Sequence, residues 1–393
     1  MKILIFFLLL SSLSLSQNIF KRICYLRPES NFPIDYVIQN NICTHIIIAF
    51  VSIDSESNLS FDQTFIDFLQ LCRQSIDTIN NNENYPKLMF SIGGGGAGGW
   101  KMASSTDERR KRFVQSILQF IQQYQLDGVD IDWEFPSWPK KLTQYSERND
   151  FIKLLQEIRR NFDHEKQISG KHLILSAAVA AQFVIIQVSY KPVEMAESVD
   201  FINLMTYDYF IHKWYWPYVG HNSPLYSPIN LPFNFINVTK TFSVEWSAEY
   251  WVKIGMPRHK IMVGIPTYGK RYTLFHSKIN YPGAMAISGG NDMIYSEVCE
   301  FLKRKNTVEK YDSIAHSPYA YNEREWISFE NQQSASQKAK WIRMKNFGGL
   351  MIFSLNADDY RQQCSNNIDN DDNDDSKILF PIHMAIRDSV INS

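Results

Sequence analysis

Residues 127–134 read Asp-Gly-Val-Asp-Ile-Asp-Trp-Glu, with carboxylates at every second position: Asp130, Asp132 and Glu134. Alternate side chains of a β-strand point to the same face, so this spacing projects all three carboxylates to one side. The intervening valine and isoleucine point to the other side, where they can pack against helices. The stretch therefore predicts a strand that is apolar on one face and acidic on the other.

This strand is one of eight apolar runs rich in β-branched residues, which are Arg22–Leu26, His45–Val51, Lys87–Gly93, Leu126–Asp132, Leu173–Val179, Asp200–Thr206, Ile261–Thr267 and Gly348–Ser354. Apolar residues at helical spacing lie between several of them, as at Phe113, Ile117, Phe120 and Tyr124, and again from Phe151 to Phe162. Ser105 and Glu108 predict a capping box at the start of the first of these helices. Buried strands alternating with helices indicate a parallel sheet covered on its outside. Eight strands fit an α/β fold of the (β/α)8 TIM-barrel type, with an open doubly wound sheet as the alternative.

The three carboxylates would lie at the carboxyl end of a barrel strand, where barrel enzymes place their catalytic residues. Like charges this close raise the pKa of at least one group, and burial raises it further. A carboxyl group kept protonated near neutral pH is a candidate general acid. The alternative is a calcium site, but Ca²⁺ prefers flexible polar loops with carbonyl ligands, and an apolar strand is a poor host for one.

Two stretches interrupt the alternation of strands and helices. Residues 270–333 are rich in Tyr, Ser and Gly and predict an α+β lobe inserted between the seventh and eighth strands. Residues 365–377 are a low-complexity acidic segment, for which we expect a solvated loop rather than a metal site. An apolar helix, 378–391, would follow this loop. Residues 17–393 would thus form one catalytic barrel domain that contains the lobe.

The amino-terminal residues predict a secretory signal peptide over residues 1–16. Lys2 precedes an apolar run from residue 3 to residue 10, and small residues follow at Ser14 and Ser16. The run is shorter than the roughly 18 residues of a membrane-spanning helix, although a membrane anchor is the alternative. We therefore expect a secreted, extracellular protein. Two sequons, at Asn58 and Asn237, are candidate glycosylation sites in such a protein.

The amino-acid composition of the chain limits the kinds of molecule that the protein is expected to bind. The net charge is −1 and no block of Lys and Arg stands out, which argues against nucleic acid and membrane partners. Aromatic residues make up 14% of the chain, which suits a large core and also suits the stacking of sugar rings. Five cysteines in a secreted chain predict two disulfides and one thiol. Cys72 is the candidate thiol, because it shares a helical apolar face with Phe65, Phe68, Leu69 and Ile76.

The acidic motif resembles the catalytic signature of glycoside hydrolase family 18, the chitinases and their relatives. The resemblance extends over most of the chain, and the similar stretches are Cys43–Phe50, Ser91–Gly94, Met205–Asp208, Gly220–Tyr226, Gly264–Gly269 and Gly348–Met351. It implies a secreted, monomeric hydrolase without metal or cofactor. Such an enzyme would cleave internal bonds of chitin or chitooligosaccharides (endo action) by substrate-assisted retaining catalysis.

The resemblance also implies residue roles. Glu134 would protonate the glycosidic oxygen, Asp132 would orient the substrate's own acetamido group, and Asp130 would support Asp132. Tyr207 would donate a hydrogen bond to the acetamido group. The remaining implied substrate-binding residues are Tyr25, Gly94, Gly95, Phe135, Met205, Asp208, Tyr268 and Phe353. The implied disulfides are Cys24–Cys43 and Cys299–Cys364. Asp127, out of phase with the other acids, is predicted to be structural.

Three positions depart from the family pattern. Gly95 stands where a sugar-stacking Trp is usual, with Trp100 as its candidate substitute. Phe353 replaces the Trp that forms the floor beneath the scissile sugar, and Lys270 replaces an Arg, whose planar bidentate contact a Lys does not reproduce. A chitinase-like lectin that binds chitooligosaccharides with little turnover is therefore the alternative function. The run Gly93–Gly98 matches G-x-G-x-x-G, but no helix is expected to begin inside this loop, which argues against a dinucleotide site.

Overall fold

The computed structural model describes residues 20–79, 86–139, 147–227, 237–364 and 379–391. Eight parallel strands form a closed barrel: Lys21–Leu26, His45–Ile53, Lys87–Gly93, Gly128–Asp132, Ile174–Ala180, Phe201–Met205, Ile261–Pro266 and Gly349–Phe353. The first strand pairs with both the second and the eighth, so the sheet has no open edge between them. This closure confirms the predicted TIM barrel and excludes the open doubly wound sheet.

Helices cover the outside of the barrel. Their bounds are Ile34–Gln39, Gln63–Ile79, Trp100–Ser105, Asp107–Gln123, Glu147–Ser169, Phe183–Ser189, Pro192–Ser198, Val244–Lys253, Gln332–Met344 and Pro381–Ile391, with 3₁₀ turns at Asn237–Thr241, Arg258–Lys260 and Leu355–Ala357. The apolar faces predicted at residues 113–120 and 151–162 are buried, as amphipathic helices on a barrel require.

The predicted capping box at Ser105 and Glu108 is wrong. Ser105 ends a separate short helix that begins at Trp100, and Thr106 caps the next helix by accepting a hydrogen bond from the Arg109 N–H (3.3 Å). A threonine in an extended conformation serves as an N-cap as well as serine does, so the register of the cap was ambiguous by one residue.

The chain between the seventh and eighth barrel strands forms a second sheet, as the predicted fold class requires. Its antiparallel strands are Gly269–Leu274, Ala286–Met293, Val308–Asp312, Ser317–Asn322 and Glu325–Ser328, and the helix Tyr295–Lys303 packs with them. The first of these strands begins three residues after the seventh barrel strand ends. This connection places one side of the lobe directly beside the carboxyl end of the barrel.

Two disulfides pair the cysteines as the family resemblance implied. Cys24–Cys43 joins the first barrel strand to the residues preceding the second, with 5.9 Å between Cα atoms. Cys299–Cys364 joins the lobe helix to the segment after the eighth strand, with 5.2 Å between Cα atoms. Cys72 is free and fully buried, and burial raises the pKa of its thiol to about 12. The thiol therefore stays protonated and poorly nucleophilic in the native protein.

The predicted signal peptide (residues 1–16) and the acidic segment 365–377 lie outside the described residues. No helix within the described ranges is long and apolar enough to cross a membrane. Asn58 lies in a half-buried turn before the short strand Leu59–Ser60. Asn237 begins a 3₁₀ turn.

Candidate active site

The fourth barrel strand ends at Asp132 and positions the three carboxylates of the acidic motif. Asp130 is fully buried, Asp132 is 3% exposed, and Glu134 follows the strand end in a half-buried position. Asp127, at the other end of the strand, accepts a hydrogen bond from the Leu88 N–H (2.9 Å) and faces the Lys171 ammonium (3.3 Å). Asp127 therefore joins neighbouring elements outside the cleft, in agreement with its predicted structural role.

Asp130 lies inside the barrel and is surrounded by hydrogen-bond donors. One carboxylate oxygen accepts from Ser176 Oγ (2.6 Å) and Asn203 Nδ2 (3.0 Å), and the other from Tyr25 Oη (2.7 Å) and Ser91 Oγ (2.8 Å). Burial raises the pKa of Asp130, and these four hydrogen bonds oppose the rise by stabilising the charged form. Four donors occupy the lone-pair positions of the carboxylate, so Asp130 has none left for a calcium ion.

Asp132 is buried without comparable support. Its Oδ1 has no hydrogen-bond partner among the described residues. Burial raises the pKa of Asp132 well above its usual range, and the carboxylates of Glu134 and Asp130 raise it further. A buried polar atom without a partner is costly in a folded protein, and such atoms concentrate at functional sites. The free oxygen is available to a group that enters the cleft.

Glu134 is the outermost of the three carboxylates and follows the end of the fourth barrel strand. Burial, followed by the charge of Asp208, raises the pKa of Glu134 to about 7. No described residue donates a hydrogen bond to its carboxyl group. A carboxyl that is protonated at neutral pH, faces a cleft and has no internal partner can give its proton to a ligand.

Residues after the sixth and seventh strands form the opposite side of the site. Tyr268 Oη donates to Asp208 Oδ1 (2.7 Å), and the Lys270 ammonium lies 2.8 Å from the same oxygen. Lys270 also contacts Asp292 of the lobe (2.5 Å) and is 5% exposed. Burial opposes the charged form of Lys270, but Asp208 and Asp292 outweigh it and raise its pKa. The replacement of Arg by Lys at this position therefore retains a cation that joins the barrel to the lobe.

Tyr207 points its hydroxyl toward the acids. Its Oη has one weak contact among the described residues, with Met351 Sδ at 3.9 Å. Burial raises the pKa of Tyr207 well above its usual range, and the Asp132 and Glu134 carboxylates add to the effect. The hydroxyl therefore stays protonated and can donate a hydrogen bond to a ligand.

These groups enclose a cleft of about 260 Å³ at the carboxyl end of the barrel. The lining residues are Tyr25, Arg27, Phe50, Gly95, Asp132, Glu134, Phe135, Ala178, Gln182, Met205, Tyr207, Asp208, Tyr268, Asp292 and Phe353. The structure thus brings together all the predicted catalytic and substrate-binding residues except two. Asp130 lies beneath the cleft, and Gly94 directly follows the third strand, where its N–H donates to the Asp132 carbonyl oxygen (3.0 Å).

The two family departures in the cleft have different surroundings. A Cβ at Gly95 would lie 3.8 and 3.9 Å from the two carboxyl oxygens of Glu134, so the backbone passes directly beside the acid. Phe353 forms part of an aromatic floor, with ring centroids 5.7 Å from Tyr25 and 6.0 Å from Tyr207. Apart from its chain neighbours, no other described atom lies within 4 Å of such a Cβ at residue 95.

Trp100 does not replace the missing Trp. It is 2% exposed, and its ring stacks on Trp133 with centroids 5.5 Å apart and planes 6° apart. The expectation that Trp100 contacts a sugar is therefore wrong. Trp100 begins the short helix after the glycine-rich loop, and this helix turns its ring inward onto the core.

Sequence reasoning missed several residues of the site. The motif analysis did not single out three of the four donors to Asp130, which are Ser91, Ser176 and Asn203. It also missed the lining residues Arg27, Phe50, Ala178, Gln182 and Asp292. Ser91 and Ser176 are polar residues inside otherwise apolar strands, and this signal was present in the sequence. Asp292 belongs to the lobe, and its approach to the barrel depends on long-range packing that no local pattern contains.

A family model described as glycosyl hydrolases family 18 matches residues 21–358. Chitotriosidase-1 of Mus musculus is 31% identical over 359 residues, which are 87% of this chain and 74% of the relative.

Solved structures of similar proteins share the fold of this chain. TsES1 of Trichuris suis, described as an immunomodulatory active chitinase, superposes with a TM-score of 0.81 at 27% identity and covers 94% of this chain and 99% of its own. Human YKL-39 superposes with a TM-score of 0.80 at 27% identity and with the same coverage, and it is described as a pseudo-chitinase with retained chitooligosaccharide binding. The fold and the family are thus common to catalysts and to non-catalytic binders.

Proposed function

Since the chain belongs to glycosyl hydrolase family 18, we propose that it is a secreted chitinase that cleaves β-1,4-linked N-acetylglucosamine polymers or oligomers, with endo action, as a monomer. One observation supports catalysis above the others. Glu134 faces the cleft with a pKa raised to about 7, beside the buried Asp132, and this is the protonation state that a general acid needs at neutral pH.

Glu134 protonates the glycosidic oxygen as the bond to the anomeric carbon breaks. The substrate's own acetamido oxygen attacks that carbon, so the protein needs no nucleophile of its own. Family 18 is a known exception to the two-carboxylate scheme of glycosidases, and the mechanism proposed here follows from family membership. The arrangement of this chain is suited to it, because Glu134 provides an acid and Asp132 provides a second carboxyl group with a free oxygen in the same cleft.

Asp132 accepts the acetamido N–H on its free oxygen and stabilises the positive charge that develops as the ring closes. Asp130 accepts hydrogen bonds from four donors, which hold its carboxylate in place directly behind Asp132. Tyr207 donates to the acetamido group from the other side of the cleft. The cyclic intermediate is then opened by water from the face that the leaving group vacated, so the product retains the β configuration.

A chitinase-like lectin is the second candidate, and two observations favour it. Gly95 offers no side chain that could stack on a sugar, and Phe353 gives a smaller floor than an indole. YKL-39 shows that this fold supports binding without catalysis. The intact acid argues for the enzyme, because a pure binder has no use for a carboxyl with a raised pKa in its cleft.

The deciding experiment is a turnover assay on a fluorogenic chitooligosaccharide with wild type, Glu134→Gln and the exposed control Glu300→Gln. We expect Glu134→Gln to lose on the order of 10²–10⁴ in rate while binding oligosaccharide normally, and Glu300→Gln to match wild type. Binding without turnover by wild type would establish the lectin. Equal turnover by wild type and Glu134→Gln would show that another group is the acid.

Product stereochemistry tests the participation of the acetamido group. Early-time NMR of the products should show the β anomer first, and analogues of the oxazolinium intermediate should bind tightly, because they resemble the species that the cleft stabilises. An α anomer formed first would exclude retention.

A further inference from the structure

Arg27 follows the first barrel strand, and its backbone is fixed at the edge of the cleft. Asn356, in the 3₁₀ turn after the eighth strand, accepts a hydrogen bond from the Arg27 N–H (2.7 Å) and donates one to the Arg27 carbonyl oxygen (3.1 Å). The same amide of Asn356 also donates to Glu29 (2.9 Å). The position of the Arg27 Cα is therefore set from two sides, whereas its side chain is exposed.

The guanidinium of Arg27 has no acceptor and no ion-pair partner within the described part of the chain. It lies over the ring of Phe353, with Cζ 5.5 Å from the ring centroid. The neighbouring cations are paired: Lys270 with Asp208 and Asp292, and Arg361 with Glu29. A guanidinium that lies over an aromatic ring is attracted to the ring face while its N–H donors remain available to a ligand.

Arg27 lines two cavities. It lines the catalytic cleft and a neighbouring cavity of about 340 Å³, so a ligand that extends from one into the other passes its side chain. The neighbouring cavity is lined by Arg27, Pro28, Glu29, Ile294, Ser296, Asn356, Asp358, Asp359, Tyr360 and Arg361. Hydroxyl, amide and carboxylate groups of this kind suit a ligand rich in hydroxyl groups.

The charges in this second cavity are already compensated. Glu29 accepts hydrogen bonds from Arg361, Tyr360 and Asn356, and they lower its pKa although burial acts in the opposite direction. Asp358 contacts His383 (2.7 Å) and caps the last helix, and Asp359 accepts from two backbone N–H groups after residue 362. Arg27 is thus the cation at the passage whose charge no described residue neutralises.

We propose that Arg27 is a specificity-determining residue that binds the sugar leaving the catalytic cleft toward the second cavity, and that it favours neutral N-acetylated sugars over cationic glucosamine there. This inference rests on the proposed function. The N–H donors of Arg27 bind hydroxyl or acetamido oxygens of the sugar. The same positive charge repels the ammonium group of a deacetylated sugar.

The test measures binding by calorimetry in a Glu134→Gln background, so that no ligand is cleaved. Chitooligosaccharides from the disaccharide to the hexasaccharide are compared with a partially deacetylated hexasaccharide. Arg27→Met removes donors and charge, Arg27→Lys keeps the charge but loses the planar fork, and Arg112→Met removes a surface cation outside both cavities.

We expect Arg27→Met to weaken the binding of the acetylated hexasaccharide by about tenfold, which is the effect of losing a hydrogen bond to a charged group. The loss of affinity should grow with the length of the oligosaccharide. The preference for the acetylated over the deacetylated hexasaccharide should shrink in Arg27→Met and persist in Arg27→Lys. Arg112→Met should bind like the background protein.

Three results would overturn the inference. One is an Arg27→Met protein that binds each oligosaccharide length as tightly as the background protein does, with its acetylation preference unchanged. Another is tighter binding at all lengths, which would mean that Arg27 competes with the sugar for Phe353. A background protein that binds no chitooligosaccharide at all would overturn the proposed function as well, and this result distinguishes the two failures.

Discussion

Glu134 owes its raised pKa first to burial and second to Asp208, so its protonation state depends on residues from two barrel strands. The alternation of acidic and apolar side chains along the motif is a local pattern, and the sequence alone was enough to predict it. The contribution of Asp208 was not, because it depends on the closure of the barrel. The pKa of about 7 is therefore a property of the fold as much as of the motif.

The first prediction is that kcat/KM falls as pH rises through about 7, because an acid that has lost its proton cannot protonate the leaving group. Asp208→Asn removes a charge that raises the pKa of Glu134, so the alkaline limb of the pH profile should move to lower pH. Rates measured from pH 4 to pH 9 on both proteins check this. An unchanged limb in Asp208→Asn would contradict the electrostatic link, whatever that variant does to the absolute rate.

The second prediction concerns the floor of the cleft. Phe353 covers less of a sugar face than an indole and lacks the indole N–H. Phe353→Trp should raise kcat/KM by roughly tenfold, which corresponds to ~1.4 kcal/mol of added transition-state stabilisation. The measurement is steady-state kinetics over a series of chitooligosaccharide lengths, with Phe353→Leu as the matched control that should lower kcat/KM.

The surroundings of Phe353 define the opposing outcome. Tyr25, Tyr207 and Tyr268 lie with ring centroids 5.7, 6.0 and 6.3 Å from it. A larger ring must fit among them, and overpacking has its own cost. A folded Trp variant with equal or lower kcat/KM at every length would show that the site has repacked around phenylalanine.

At the scale of elements, the lobe depends on a covalent connection. Cys299 lies on the lobe helix Tyr295–Lys303 and Cys364 follows the eighth strand, with a sequence separation of 65. The third prediction is that Cys299→Ser with Cys364→Ser lowers the free energy of unfolding by about 2–4 kcal/mol, chiefly by releasing the unfolded chain. Urea unfolding measures the change.

The control for this variant is Cys72→Ala, which leaves both disulfides intact. Thiol titration should find no reactive cysteine in native wild type and one after unfolding, since Cys72 is buried. A double-serine variant as stable as wild type would show that noncovalent packing alone holds the lobe.

The elements also show what the sequence can and cannot predict. The strand over residues 87–93 was predicted with its observed bounds, because an apolar run between polar turns is a local signal. The cap of the helix at Asp107 was misplaced by one residue, since Ser105 and Thr106 have the same capping chemistry. Trp100 was misassigned for a deeper reason. The direction of its ring depends on a short helix whose stability comes from packing on Trp133, and this contact is invisible in the local sequence.

For the whole molecule, the barrel joins groups that are remote in sequence into one charged cluster. Tyr25 and Asp130 are 105 residues apart and hydrogen-bonded, and Asn203 reaches the same carboxylate from 73 residues away. Burying these acids together opposes folding, because each buried carboxylate loses hydration. The site is thus an electrostatic cost that the rest of the barrel offsets, and such a cost should be measurable as a dependence of stability on pH.

The last prediction is that Glu134→Gln stabilises the protein at alkaline pH and not at acid pH. The pKa of Glu134 is raised in the folded state, from 4.5 to about 7, so the folded protein binds this proton more tightly than the unfolded chain does. Its favourable contribution is fully present below pH 4.5 and is lost as pH rises through 7. Linkage converts the full shift into up to roughly 3 kcal/mol, reduced by solvent because Glu134 is half-buried. Urea unfolding at pH 4 and pH 8 should therefore show equal stability of the two proteins at pH 4 and a more stable Gln variant at pH 8, with Glu300→Gln matching wild type at both. A Gln variant that gains nothing between these pH values would mean that Glu134 titrates normally in the folded protein, and the main support for its role as the acid would be lost.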